Sequence, residues 1–374
     1  MAFSFPRHRP DFWTWITISI VAVLCILLIL PILRVLTLGF IDPDTGSLTL
    51  DNFIEVFTRN YYLNGLKNTL FVGALGTLGA CLIGIPLAFF TTRFLITGKT
   101  LISTLAILVL VSPPFISAYA WIMMMGSNGV ITNFFGGIGI NIPTIYGAHG
   151  IILVFSLKFF PFIFLMTQTA LTAVNKSFED AAENLGCSPW QRFVKVTLPL
   201  VFPAVSTGAI ICFVLSIADF GTPAILGRGF RTLSTIALSA YRSELGGPPT
   251  MAVTVSILMM AISMIALVAQ RRILANRRYA SSLTNLPVAV KLSGWKNAAV
   301  HFFSHGIVFL AMLPSAVVVY TSFLKTKGPV FVGGFGLESY DRIWRDAPDA
   351  IYNSFLFAII AVTFITITSG LISY

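Results

Sequence analysis

The stretch that decides the architecture is Ser177 to Pro203, S-F-E-D-A-A-E-N-L-G-C-S-P-W-Q-R-F-V-K-V-T-L-P-L-V-F-P. It is the longest polar and charged interval in an otherwise apolar first half. Two helix starts lie in it, with a stop between them. Ser177 is placed to cap a helix that begins at Phe178, with Asp180 three residues on. Gly186 is the stop, because a glycine accepts the left-handed backbone that ends a helix. Ser188, Pro189 and Gln191 then restart the chain. Ser188 suits the cap, Pro189 the first helical position, and Gln191 completes an S-x-x-Q capping box. The stretch therefore predicts two short helices bent around Gly186, an elbow between apolar spans.

Outward from the elbow the chain is hydrocarbon-like. Of its 374 residues 56% are apolar and 10% are charged, and its mean hydropathy is +0.87. Soluble domains carry roughly 25% charged residues, so the fold class expected is all-α and polytopic in a membrane. The net charge of +10 is scattered over loops and is not gathered on one aromatic-interleaved face. That distribution argues against nucleic acid as a partner and leaves the lipid bilayer. The cysteines, Cys25, Cys81, Cys187 and Cys212, lie in apolar spans or in the elbow and imply no disulfide framework. The first apolar run, Trp15 to Leu33, is too long for a signal-peptide core and reads as a span.

Spans of about 20 apolar residues are predicted at 14–40, 66–92, 100–125, 148–173, 200–220 and 250–270, then at 298–324 and 351–374. Lysine and arginine in the loops set the orientation. With the N-terminus in the cytoplasm, the inner segments hold 13 basic residues and the outer ones nine, with Arg271-Arg272 the strongest inner stop. The elbow, carried on the loop 175–199, then faces the cytoplasm.

The chain also repeats. L-T-L-D-N-F-I-E-V-F at 48–57 resembles F-G-L-E-S-Y-D-R-I-W at 335–344. An Asn opens the span after each, Asn68 and Asn353, and a Leu-Pro lies in the span before each, at Pro31 and Pro314. The offset stays between 283 and 287 residues. The expected domains are a first repeat at 1–270 with six spans, a cytoplasmic linker at 271–297, and the start of a second repeat at 298–374. A full second copy would hold its own elbow, so roughly 180 further residues are expected of the architecture.

The elbow resembles the cytoplasmic loop of ABC importer permeases, whose signature is E-A-A, three residues, G, nine residues, I-x-L-P. Here Asp180-Ala181-Ala182 takes the triplet, Gly186 follows after three residues, Val196 after nine more, and Leu198-Pro199 closes the pattern. Asp stands for Glu and Val for Ile, and the spacing matches throughout. The resemblance implies a type I importer permease in the bacterial inner membrane, duplicated, with its second copy incomplete. It implies that the elbow, where Glu179, Asp180 and Glu183 offer negative charge, docks ATPase subunits. It also implies two such subunits and a periplasmic substrate-binding protein as partners. No G-x-x-x-x-G-K-[ST] occurs in the sequence, so ATP and its hydrolysis are expected on a separate polypeptide, with no enzyme activity and no cofactor here.

The fused double permease is similar to the ferric-iron group. Asp219 to Gly227, D-F-G-T-P-A-I-L-G, is similar to a stretch found there. Permeases for phosphonate, thiamine, sulfate or polyamine are the alternatives. An ion-coupled secondary transporter is the rival class, since it too shows repeats and an intramembrane lysine.

Lys158 lies near the middle of the fourth predicted span. A charge there is costly unless it faces protein or water. It either lines the route of an anionic or chelated substrate, with Asp219 as partner or rim, or forms a structural pair. His301 and His305 share a helix face at i, i+4, but no carboxylate or cysteine joins them, so no metal site is expected. Gly73, Gly76, Gly79, Ala80 and Gly84 make a small-residue face for helix packing.

Overall fold

The computed structural model describes residues 12–42, 45–242, 250–275, 289–327 and 330–373. Arg7, His8, Arg9, Asp44, Glu244, Arg277, Arg278, residues 246–249 and residues 276–288 of the predicted linker lie outside the described residues.

The helices run α1 (Phe12–Gly39), α2 (Asp51–Thr58), α3 (Asn60–Arg93), α4 (Lys99–Val111), α5 (Pro114–Met125), α6 (Val130–Gly137), α7 (Ala148–Ala173) and α8 (Lys176–Asn184). Then come α9 (Pro189–Arg192), a π-turn (Phe193–Thr197), α10 (Leu198–Ala218), α11 (Gly221–Leu226), α12 (Leu233–Tyr241) and α13 (Thr250–Ala275). The last elements are α14 (Gly294–Ser322), strands β1 (Leu324–Lys327) and β2 (Val330–Phe335), α15 (Glu338–Asp346) and α16 (Pro348–Ser373). Among the described residues seven helices are long and apolar enough to cross a membrane, or eight if one bent pair counts as a span. The all-α, multi-pass expectation is met.

The bent pair corrects the span predicted at 100–125. The chain turns by 104° between Lys99–Val111 and Phe115–Gly137. Pro113 and Pro114 are the cause. Neither donates a backbone hydrogen bond, and a residue before proline is pushed to extended geometry; Ser112 sits at φ −63°, ψ 125°. Two further corrections concern the elbow. The cap of α8 is Asn175, whose side chain accepts from Ser177 N at 2.9 Å, so the helix starts before Ser177. The second elbow helix is not short: Pro189 to Ala218 is one helical run that becomes the fifth span. Shorter helices also occupy segments between the predicted spans, namely α2, α6, α11, α12 and α15.

Residues 42–318 form one compact unit. Its core is the packing of α3, α7 and α10. The glycine face of α3 permits this closeness. A Cβ on Gly84 would lie 2.9 Å from the Phe160 carbonyl oxygen and 3.0 Å from Phe164 N. Ser156 Oγ, on α7, donates to Gly76 O at 3.3 Å. Phe155, Phe160 and Phe164 are fully buried against this face. The N-terminal part of α14 joins the same core through Val300, Val308 and Ala311. Residues 1–41 and 319–374 form a second unit. In it α1 packs on α16, and β1 pairs antiparallel with β2. Ser322 Oγ and Tyr340 Oη share a hydrogen bond at 2.7 Å, and Lys325 lies 3.7 Å from Glu338.

Candidate functional site: an elbow and a charged cavity

Local sequence builds the elbow. Helix α8 closes with Gly186 at φ +79°. Gly186 N donates to Glu183 O at 2.8 Å and Cys187 N donates to Ala182 O at 3.0 Å. That pair of bonds satisfies carbonyls the helix end would otherwise leave open, and a Cβ would strain the backbone there. Two residues later the predicted capping box forms. Ser188 Oγ accepts from Gln191 N at 3.3 Å, and Gln191 Oε1 accepts from Ser188 N at 2.9 Å. Ahead of Leu198-Pro199 the helix widens into the π-turn that contains Val196. Pro199 cannot donate, and its ring crowds the carbonyl one turn back, so a wider turn relieves the clash.

Ala182 is buried on the inner side of α8 and Ala181 is exposed, while Leu185 and Trp190 project, 85% and 71% exposed. Glu179 points inward. Its Oε1 accepts from Arg93 Nη2 at 2.6 Å and from Thr197 Oγ1 at 2.7 Å. One carboxylate thus ties α8 to the end of α3 and to the π-turn. Arg192 pairs with Glu183 and holds α9 to α8. Phe89 and Phe193 pack edge to face at 4.8 Å. Between these groups lies a cavity of about 370 Å³, also lined by Asp180 and Lys176. Arg93 is 8% exposed, and its Nε and Nη1 have no partner among the described residues. The described part of the linker reaches the same place: Val290 N donates to Arg93 O at 2.9 Å, and Leu95 N donates to Val290 O at 3.1 Å.

The second feature is a cavity of about 380 Å³ beside the break at Ser112. Lys158 and Asp219 line it, with Phe115, Phe159, Phe162 and Phe220. Lys158 Nζ donates to Asp219 Oδ2 at 2.5 Å; the side chains are 12% and 4% exposed. Both alternatives weighed for Lys158 meet here: it is paired, and it faces a cavity. Asp219 also accepts from Thr222 N at 2.9 Å through Oδ1, which fixes it at the start of α11.

No group of three or more His, Cys, Asp or Glu that could hold a metal occurs among the described residues. His301 has both ring nitrogens engaged: Nε2 accepts from Thr97 N at 3.1 Å, and Nδ1 lies 2.9 Å from Asn297 O. The sequence placed Glu179, Asp180, Ala181, Ala182, Gly186, Val196, Leu198 and Pro199 in one loop, and they do form one elbow. It missed Arg93 and Thr197 as its anchors. Arg93 counted only as a loop charge, and nothing local signals a partner 86 residues away.

Comparison with known proteins gives this geometry a family. A protein named for ferric transport as permease FbpB 1 in Haemophilus influenzae is 30% identical over 226 residues, 58% of this chain and 35% of that protein. The ferric transport system permease protein FbpB of Actinobacillus pleuropneumoniae is 25% identical over 377 residues, 96% of this chain and 52% of that protein. The chain therefore spans about a third to a half of the length of these relatives. Proteins named for sulfate and molybdenum transport also match. A chain of a bacterial ABC transporter involved in import of the acidic polysaccharide alginate shares the fold, with TM-score 0.57 and 20% identity over 70% of this chain and 96% of that one. The family described as binding-protein-dependent transport system inner membrane component matches residues 80–279, which hold both the elbow and the charged cavity. The chain belongs to that family.

Proposed function

We propose that this chain is the membrane-spanning permease of an ATP-driven importer for ferric iron, in a bacterial inner membrane, with its N-terminus in the cytoplasm. A periplasmic binding protein delivers the cargo. Two ATPase subunits, carrying the ATP and its hydrolysis, dock on the cytoplasmic side. The chain itself performs no chemistry on its cargo. Residues 1–270 are read as a first permease repeat and residues 298–374 as the start of a second.

The observation that carries this reading is the elbow's construction. A docking element must move as a rigid body with the spans it drives. Here the Schellman turn and capping box stiffen α8 and α9, and Glu179 bolts α8 to α3 and to the root of α10. The projecting Leu185 and Trp190 offer an apolar tip to a partner groove. Iron is favoured by the two ferric relatives; a permease for sulfate is the second reading, supported by the relatives named for that anion.

Gly186→Val tests the docking role in vesicles holding the complete importer. A β-branched residue at positive φ re-aims the elbow. The expected result is normal insertion, with at least tenfold loss of binding-protein-stimulated ATP hydrolysis and of iron uptake. Wild-type coupling in that variant sinks the docking claim.

A further inference from the structure

The charged cavity says more about the cargo than its walls alone suggest. Lys158 is a flexible cation whose acceptor among the described side chains is Asp219, with the Phe159 ring 5.0 Å from Nζ. An ammonium has three donors, so one carboxylate oxygen leaves it with bonding capacity. Asp219 is held independently, by Thr222 N at 2.9 Å and Thr222 Oγ1 at 3.4 Å. It can lose the lysine without losing its place. A pair that served packing alone would be sealed in protein, yet this one lines about 380 Å³ of open volume. At ~30 Å³ each, that is room for about a dozen waters. Four phenylalanines lower the dielectric around it and strengthen any ionic contact made there. A bare multivalent cation finds the opposite of what it needs. Beside Lys158 it meets one carboxylate, already neutralised, and the described residues hold no cluster that could ligate it.

We infer that Lys158 and Asp219 form an exchange site for oxyanions: cargo presents a carboxylate, phosphate or similar oxyanion that takes the place of Asp219 on Lys158, and Asp219 reclaims the lysine as the cargo moves on. This rests on the permease reading and sharpens it, because iron would then cross as an anionic chelate. The resident carboxylate explains why such a site would not trap its cargo. It competes for the lysine, and a conducting site must bind weakly enough to release.

Two measurements test this. The first uses the purified chain in detergent and does not depend on which solute is imported. Thermal unfolding of Asp219→Asn is followed in sulfate, in ferric citrate and in chloride at matched ionic strength. With its carboxylate neutralised, Lys158 is expected to make the variant gain stability in the oxyanions relative to chloride. The Lys158→Met/Asp219→Asn variant, with no charge to satisfy, should show no such gain, which separates the site from the general effect of sulfate on proteins. A gain with sulfate alone marks a free oxyanion as the ligand, and a gain with ferric citrate alone marks the chelate. Equal responses in the two variants overturn the proposal. If Asp219→Asn does not fold, the same comparison is made between wild type and the double variant. The second measurement is uptake by the complete importer. The neutral double variant should insert and fold but lose at least tenfold in uptake, while Lys158→Arg retains part of it. Wild-type uptake in the double variant overturns the exchange role. A wild-type importer that moves neither iron nor sulfate overturns the permease reading's substrate, while the unfolding measurement still decides the site.

Discussion

Two buried ion pairs, Arg93–Glu179 in the elbow and Lys158–Asp219 in the cavity, look alike by distance, at 2.6 and 2.5 Å, and differ in everything that surrounds them. Glu179 is shared among three segments, α8, the end of α3 and the π-turn through Thr197. Its partner is a planar guanidinium, whose geometry fixes direction as well as charge. Asp219 is anchored within its own turn by Thr222, and its partner is a point charge on a four-carbon stem. The first pair is a strut, because every group in it loses something if the segments part. The second is a latch, because only the lysine moves. A transporter needs both kinds, one to carry force and one to let go.

The largest effect that tests this contrast is Arg93→Met. It strands Glu179 with Thr197 as its remaining donor, and breaking a buried pair from one side costs about 3–5 kcal/mol. A fall in the unfolding midpoint and loss of stimulated ATP hydrolysis are both expected, measured on the purified chain and on the assembled importer. Lys158→Met should cost less stability, because the two Thr222 contacts still satisfy Asp219, yet abolish uptake. If Lys158→Met destabilises as much as Arg93→Met, the strut and the latch are not different devices.

The contrast also explains what the sequence could show. The turn at the middle of the elbow, which depends on neighbours in the chain, was legible. The stop at Gly186 and the box at Ser188 and Gln191 each rest on bonds between positions no more than five residues apart. The start of α8 was misplaced by two residues because Asn175 and Ser177 are both capping residues, and only the fold selects between them. The break at Ser112 was also written plainly, in Pro113-Pro114, but a window of apolar residues long enough for a span masked it. The two pairs differ in the same way. Lys158 and Asp219 are rare charges in apolar surroundings, so few partners are possible. Arg93 and Glu179 lie among many charges near the membrane edge, and no spacing rule links residues so far apart.

Thr197→Val comes next in expected size. The change keeps the volume and removes the hydroxyl that donates to Glu179. Thr197 is 2% exposed, so water does not replace the bond, and a loss of about 1 kcal/mol is expected. Its value lies in the split it makes. Arg93 still holds Glu179, so the chain should fold and bind its ATPase, while α8 loses its tie to the root of α10. Stimulated hydrolysis should fall severalfold with little change in the unfolding midpoint. Unaltered coupling in that variant would mean that force reaches the spans through α3 alone.

The smallest effect expected is Ser188→Ala, and it separates stiffness from attachment. The substitution removes the acceptor for Gln191 N and breaks the capping box, a change worth about 1 kcal/mol in stability. The cost falls on α9, which is four residues long and is also held by Arg192 to Glu183. Neither contact of Glu179 is touched. The strut should therefore keep its anchors while the helix beyond it frays. If coupling depends on the bolt to α3 and the π-turn, ATP hydrolysis stimulated by the binding protein stays within about twofold of wild type, since Glu179 keeps both its contacts while α9 loses its cap. A drop as large as that of Thr197→Val would shift the working part of the elbow from the carboxylate at its base to the tip carrying Leu185 and Trp190.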